Sequence, residues 1–250
     1  MIGIFDSGIG GLSVFREIRK ILPRERYIYY SDNAHCPYGE KSKEYIIDRA
    51  RKISDLMISK GADIIVIACN TATAAAIKTL REEYSIPFVG MEPAIKPAAA
   101  ITKTGVVGVL ATAGTLKADK YKDTRGRYAD DIKVVEHIGQ GFVELVESGI
   151  TAGPAAEDII TESLEPMLDE GADTIVLGCT HYPFLSETIS KVAERLSPGR
   201  NIRLIDPAPA VAKHLCDIMK EKAIIRNDGF SLELLSSGDS SLLNRMIKDL

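Results

Sequence analysis

Short apolar runs alternate with longer amphipathic stretches along the whole chain. Runs rich in Ile, Val, Phe and Tyr predict strands, and apolar residues at helical spacing predict helices between them. The predicted strands are 2–5, 26–31, 64–68, 86–90, 105–110, 132–137, the run before Cys179, 202–205 and 230–235. The predicted helices are 12–21, 43–60, 72–83, 116–128, 142–147, 159–170, 186–196 and 211–222. This alternation is typical of an α/β protein with parallel sheets flanked by helices.

One segment of the chain occurs twice. Residues 61–71 recur as residues 171–181 with no gap, and each copy is an apolar run that stops at a cysteine, Cys69 or Cys179. Such a run predicts a buried parallel strand, and in open α/β sheets ligands bind at the carboxyl ends of the strands. Each cysteine is followed by polar residues that could fix a ligand, and we therefore expect chemistry that needs two equivalent proton carriers.

The duplication favours two domains in this 250-residue chain. Two proline-containing stretches, around Pro93 and around Pro207, mark the expected crossings between them. We predict a first α/β domain formed by residues 1–95 together with 208–250, and a second formed by residues 96–207.

Composition narrows the class of protein. Hydrophobic residues make up 45% of the chain and charged residues 26%, which is ordinary for a globular protein. The net charge of −4 gives no reason to expect binding to nucleic acid or to an anionic membrane. No apolar run approaches the ~18 residues that span a bilayer, and we expect no signal peptide and a cytoplasmic location.

The four cysteines are far apart and form no Cys-x-x-Cys pair, so free thiols are expected rather than disulfides or a structural zinc site. A single cysteine at a strand end is most often a small buried hydrophobe. Two cysteines at matching positions favour a catalytic role for Cys69 and Cys179. His181, two residues after Cys179, is the candidate to influence its proton. Cys216 is expected in the core, and Cys36 is expected to be incidental.

Two loops are candidates for ligand binding. Residues 6–11 form a glycine-rich loop after a strand, which could hold an anion such as a carboxylate on its backbone N–H groups. The alternative is a tight turn capped by Asp6 or Ser7. Ser13 stands where a dinucleotide fingerprint needs glycine, so that motif is absent. In the second loop, Tyr38 and Gly39 are favoured as groups that line the ligand.

Four segments together resemble a known enzyme family. They are residues 5–11, 37–39, 68–73 and 178–183, and in this order they are similar to the glutamate racemases, within the cofactor-independent aspartate/glutamate racemases. The resemblance covers essentially the whole chain. It implies two α/β domains related by pseudo-twofold symmetry, with the active site in the interdomain cleft. It also implies interconversion of L- and D-glutamate without a metal or cofactor, and a supply of D-glutamate for peptidoglycan, hence for the bacterial cell wall and cell shape.

The resemblance also assigns roles to residues by matching position. Cys69 and Cys179 are the acid/base pair, with Cys69 acting as base on D-glutamate and Cys179 as base on L-glutamate. The auxiliary catalytic groups are Asp6, His181 and Glu147. The substrate-binding positions are Asp6, Ser7, Tyr38, Gly39, Asn70, Thr71, Thr180 and His181.

Two other functions remain open at this point. One is a sister racemase acting on aspartate or another amino acid, which would keep both cysteines but change the pocket. The other is a non-catalytic thiol protein, either a redox sensor or a small-molecule binder. The expected partner is a small-molecule substrate, and a homodimer is one option for the oligomeric state.

Overall fold

Two groups of parallel strands, each with its own helices, make up the computed structural model, which describes residues 1–128 and 131–249. The strands are β1 (Ile2–Asp6), β2 (Arg26–Ser31), β3 (Ile64–Ile67), β4 (Phe88–Gly90), β5 (Val106–Ala111), β6 (Lys133–Ile138), β7 (Thr174–Gly178), β8 (Arg203–Ile205) and β9 (Ser231–Ser236). The α-helices are α1 (Leu12–Ile21), α2 (Lys43–Ser59), α3 (Asn70–Glu83), α4 (Ile95–Ile101), α5 (Ala113–Lys117), α6 (Asp119–Gly126), α7 (Phe142–Glu147), α8 (Pro154–Asp169), α9 (Ser186–Leu196), α10 (Ala208–Glu221) and α11 (Ser241–Met246).

The chain divides into two units. Met1–Glu92 and the segment from Ala208 onward form the first, and Pro93–Pro207 forms the second. The predicted boundary after residue 95 lies three residues later than this division, just after the first residue of α4. The predicted α/β fold with parallel sheets is confirmed in both units.

The repeat seen in the sequence is also a repeat of topology. The first sheet has the order β4-β3-β1-β2-β9 and the second the order β6-β5-β7-β8, and all their pairings are parallel. Taken from its other edge, the second sheet is β8-β7-β5-β6, which matches β4-β3-β1-β2 strand for strand. Cys69 and Cys179 follow the corresponding strands β3 and β7, so each unit presents one thiol at an equivalent strand end.

Burial explains why these strands form. Every residue of β1 and of β3 is buried, as expected for central parallel strands covered by helices on both faces. In α1 the apolar residues Leu12, Val14, Phe15 and Ile18 are buried, and this helix packs against α10. In the second unit α8 packs against α9. These helices bury the sheets and leave the strand ends to the loops.

Several predicted helix boundaries were wrong, for local reasons. The predicted helix 116–128 is interrupted at Ala118, which has an extended backbone, so α5 and α6 are separate helices. The helix predicted from residue 159 begins at Pro154, a residue that fits the first helical position. Helix α4 was not predicted, because Pro97 suggested a break in the chain. Pro97 lies in the first turn of α4, where backbone N–H groups have no partner within the helix, so the proline does not disrupt it.

Within the described part of the chain, no helix is both long and apolar enough to cross a membrane.

Candidate active site

Cys69 lies where β3 ends and α3 begins. It is the N-cap residue of α3, and its Sγ atom accepts a hydrogen bond from the backbone N–H of Ala72 at 3.4 Å. The helix therefore begins at Asn70, two residues earlier than predicted. The Sγ atom also lies 3.7 Å from Ser7 Oγ, and the residue is only 5% exposed. The amide and the positive end of the helix dipole favour a negative charge on this sulfur, which suits a thiol that must become a thiolate.

The glycine-rich loop after β1 packs tightly beside this thiol. Asp6, at the end of β1, is fully buried, and its carboxylate accepts a hydrogen bond from Gly8 N–H at 3.0 Å. This bond caps the turn, as one of the two interpretations predicted. A Cβ atom at Gly11 would lie 2.7 Å from Asp6 Cβ and 3.2 Å from Ala68 Cβ. Glycine is therefore required at this position by the close approach of α1 to the ends of β1 and β3.

The first turn of α3 supplies a free donor. The side-chain nitrogen of Asn70, Nδ2, is buried and has no hydrogen-bond partner within the described residues. Thr71, the next residue, is also buried. An unpaired buried amide is costly unless a ligand satisfies it. Asn70 is therefore well suited to bind an oxygen of a substrate.

Tyr38 belongs to the same part of the first unit. It lies in the short 3₁₀ turn Tyr38–Glu40, is buried, and shares an apolar cluster with Cys69. Burial, the neighbouring Asp32 and Cys69 all raise the pKa of Tyr38 far above its usual value. Tyr38 therefore stays protonated, and its ring lies in the apolar cluster that contains Cys69, while Gly39 follows it, half-buried.

Cys179, in the second unit, has different surroundings. It follows β7 directly, is 7% exposed, and its Sγ atom lies 3.6 Å from His181 Nδ1. His181 is almost fully buried, and its Nε2 atom lies 2.6 Å from Glu147 Oε1. The carboxylate holds the proton on Nε2 and leaves Nδ1 facing the sulfur. Cys179, His181 and Glu147 thus form a chain along which a proton can be placed on or taken from the thiol. Thr180, between the two, is buried.

Glu147 reaches His181 because of the segment that precedes α7. Tyr182, next to His181, donates a hydrogen bond to the carbonyl of Gly139 at 3.3 Å, and its ring packs edge-on against Phe142. A Cβ atom at Gly139 would lie 2.5 Å from the Tyr182 hydroxyl oxygen. Burial, followed by the nearby Cys179 and Glu144, raises the pKa of Tyr182 well above its usual value. The neutral Tyr182 ring therefore fixes the start of α7, whose last residue is Glu147.

The structure thus places the predicted site residues in two sets. The first unit brings Asp6, Ser7, Tyr38, Cys69, Asn70 and Thr71 to the ends of β1 and β3. The second brings Glu147, Cys179, Thr180 and His181 to the end of β7.

The sequence assigned no catalytic role to the remaining two cysteines. Cys216 is buried in α10, in the core where the sequence placed it, and Cys36 is half-buried.

Sequence reasoning assigned no role to four residues that support these sets. Asp32, which is paired with Arg49, accepts a hydrogen bond from Tyr38, and Tyr182 donates one to Gly139. The signal for Asp32 is weak, because a lone aspartate in a turn-rich segment is ordinary. For Gly139 the signal is the Gly-x-Gly pattern before an apolar helix.

Comparison with known proteins agrees with the fold. The profile of the Asp/Glu/Hydantoin racemase family matches residues 2–215. A protein of Methylococcus capsulatus named glutamate racemase is 46% identical over 248 residues, covering 98% of this chain and 90% of the relative.

Solved structures give the same result. Glutamate racemase isoform RacE1 of Bacillus anthracis aligns with a TM-score of 0.86 at 31% identity, covering 100% of this chain and 92% of that one. Escherichia coli glutamate racemase, solved in complex with L-glutamate and the activator UDP-MurNAc-Ala, aligns with a TM-score of 0.85 at 34% identity, covering 99% and 94%. The chain therefore belongs to the Asp/Glu/Hydantoin racemase family.

Proposed function

We propose that this protein is a glutamate racemase that interconverts L- and D-glutamate by two-base proton transfer at Cα. The observation that carries the proposal is the pair of buried thiols, Cys69 and Cys179, at corresponding strand ends of a repeated fold. Inversion of a stereocentre requires a base on one face of Cα and an acid on the other. Two thiols from two equivalent units meet this requirement.

The surroundings of each thiol support its share of the reaction. Cys69 accepts a helix N–H, which stabilises it as the thiolate that removes the proton from D-glutamate. Cys179 then delivers a proton to the other face. In the reverse direction Cys179 is the base. His181, which is held by Glu147, accepts the proton of the Cys179 thiol or returns it. The two thiols exchange the roles of acid and base when the direction changes.

The neighbouring polar groups supply substrate binding in this proposal. The proton at Cα is weakly acidic, so charge that develops next to the carboxylate must be stabilised by donors already in place. Asn70 offers the unpaired amide described above, and Thr71, Thr180 and the backbone of the Gly8–Gly11 loop offer further donors. Ser7 lies beside Cys69, and Asp6 precedes Ser7 at the end of β1.

The biological role follows from the product. D-Glutamate is a component of peptidoglycan, so we infer that the protein supplies bacterial cell-wall synthesis from the cytoplasm. The mechanism requires no metal and no cofactor. The absence of a metal and a cofactor is a prediction, and so is the homodimer.

A circular-dichroism assay tests the proposed function. Purified protein without added cofactor is incubated separately with L-glutamate and L-aspartate, and the optical signal is followed. We expect the L-glutamate signal to decay to zero, also after treatment with chelator or with a carbonyl reagent, and L-aspartate to change far more slowly. Faster loss of the aspartate signal would favour the sister racemase. No loss of either signal, with thiols that oxidise reversibly, would favour the redox sensor.

A further inference from the structure

Asp32 is a buried carboxylate on which several elements of the first unit converge. It is fully buried, and Arg49 from α2 donates two hydrogen bonds to it, from Nε at 3.0 Å and from a terminal nitrogen at 2.6 Å. The Tyr38 hydroxyl donates to the same carboxylate, and His35 Nδ1 lies 3.0 Å from it. The backbone N–H of Asp32 donates to the carbonyl of Asp6 at 2.9 Å.

The charges in this cluster are fixed by its contacts. Burial by itself would raise the pKa of Asp32, but the hydrogen bonds from Arg49, Tyr38 and Ser237 outweigh it and lower the pKa. The pKa of Arg49 is raised, chiefly by its hydrogen bond to Asp32. Asp32 is therefore an anion, Arg49 a cation and Tyr38 a neutral phenol. The Tyr38 hydroxyl hydrogen points to Asp32, so it is not available to a substrate.

This arrangement connects the cluster to the proposed site. The ring of Tyr38 packs in the same buried cluster as Cys69, and Gly39 is the next residue of the chain. Asp32 is tied to Asp6 through the backbone and to Tyr38 through its side chain. A buried ion pair adds little net stability compared with an apolar pair, but removal of one partner is costly and the geometry it imposes is specific.

We propose that Asp32 is a positioning residue. Arg49 holds Asp32, and Asp32 anchors the Tyr38 hydroxyl. This contact fixes the Tyr38 ring beside Cys69, and it also fixes Gly39, the next residue, in the position that the substrate requires. This inference rests on the proposed glutamate racemase activity. Asp32 itself does not touch the reacting atoms. Asp32 affects the binding of both L-glutamate and D-glutamate.

Three variants test the proposal by kinetics: Asp32→Asn, Tyr38→Phe and the double variant. Loss of a hydrogen bond to a charged group predicts a rise in KM of about tenfold or more in each single variant, with a smaller change in kcat. Asp32→Asn removes the charge of the acceptor and Tyr38→Phe removes the donor. Because both changes act on the same contact, the double variant should resemble the single variants instead of multiplying their effects. Tyr38→Phe removes one oxygen atom, so it remains informative if Asp32→Asn folds poorly.

The matched control is another arginine of α2. Arg51 pairs with Glu83 through two hydrogen bonds, at 2.8 and 2.6 Å, but on the exposed surface. Arg51→Met should leave KM and kcat as in the wild type. Unchanged kinetics in Asp32→Asn and Tyr38→Phe, or multiplied effects in the double variant, would overturn the proposal.

A substrate-free measurement separates this proposal from the proposed function. Amide hydrogen exchange in residues 33–41 should be faster in Asp32→Asn and in Tyr38→Phe than in the wild type and in Arg51→Met, while the rest of the first unit is unchanged. If the wild type does not racemise glutamate, the proposed function fails, and this exchange experiment still decides whether Asp32 positions the turn. Equal exchange in all four proteins would contradict the positioning role.

Discussion

Cys69 and Cys179 occupy corresponding positions, but their sulfur atoms have different partners. A helix N–H donates to Cys69, whereas an imidazole held by a carboxylate faces Cys179. The sequence already shows the origin of this asymmetry, because Thr71 stands at the position that matches His181. The two thiols therefore differ in how their protons are controlled, although they perform equivalent steps.

Replacement of either thiol should abolish racemisation. Cys69→Ser and Cys179→Ser each remove the proton carrier for one face of Cα, and we expect kcat to fall by about a thousandfold or more. The matched control is Cys216→Ser, since Cys216 is also a buried free thiol but lies in α10. Steady-state kinetics by circular dichroism measures all three. A Cys216 variant as inactive as the other two would show that the assigned pair is wrong.

His181 and Glu147 should affect one direction more than the other. His181→Asn and Glu147→Gln disturb the proton balance of Cys179, so kcat should fall more from L-glutamate than from D-glutamate. The ratio of the two kcat/KM values stays at unity for an enantiomer pair, so the asymmetry appears in the separate kcat and KM values. Glu144→Gln is the control, because Glu144 is exposed and one turn earlier on α7. Equal losses of kcat in both directions would mean that His181 and Glu147 only bind substrate.

At the scale of elements, short connections decide where the functional groups lie. Helix α7 has six residues, and it is the contact of Tyr182 with Gly139 that sets its start. Periodicity predicts that α7 exists, because Phe142, Val143, Leu145 and Val146 are apolar and buried. It does not predict where α7 points, since that depends on the contact between residues 43 positions apart in the chain.

A methyl group at Gly139 should displace this element. Gly139→Ala brings a Cβ atom to within 2.5 Å of the Tyr182 hydroxyl oxygen. We expect a loss of about 1–3 kcal/mol in the free energy of unfolding, as for other overpacked sites, and a fall in kcat from L-glutamate similar to that of Glu147→Gln. The control is Gly126→Ala, where no atom of the described residues lies within 4 Å of the added Cβ atom. Denaturant unfolding measures the free energy of unfolding, and steady-state kinetics measures kcat from L-glutamate. If both values in Gly139→Ala equal those of the wild type, the contact of Tyr182 with Gly139 does not set the position of α7.

At the scale of the whole molecule, the repeated order of strands is the main result. The sequence repeat predicts it because similar apolar runs end at Cys69 and Cys179, and parallel strands present their carboxyl ends at one edge of a sheet. The sequence predicts a strand at 230–235, but the order of strands along the chain does not predict that this strand, β9, pairs with β2 in the first sheet.

The supporting contacts could not be predicted from a single sequence. Glu147 meets His181 across 34 positions, and Arg49 meets Asp32 across 17. Nothing in the local pattern around these residues marks them as partners, because their pairing depends on how helices pack on the sheet. The resemblance named Glu147 as an auxiliary group, and the structure gives it a contact through which it can act.

Racemisation of L-glutamate in deuterated water tests the central claim most directly. The accepting and the donating thiol are different in a two-base reaction, and the donor exchanges its proton with the solvent before it acts. Nuclear magnetic resonance or mass spectrometry of the early products should therefore show deuterium at Cα of the newly formed D-glutamate, while the remaining L-glutamate keeps its original hydrogen. D-Glutamate that retains the original hydrogen would show that one base carries the proton from face to face, and would contradict the account.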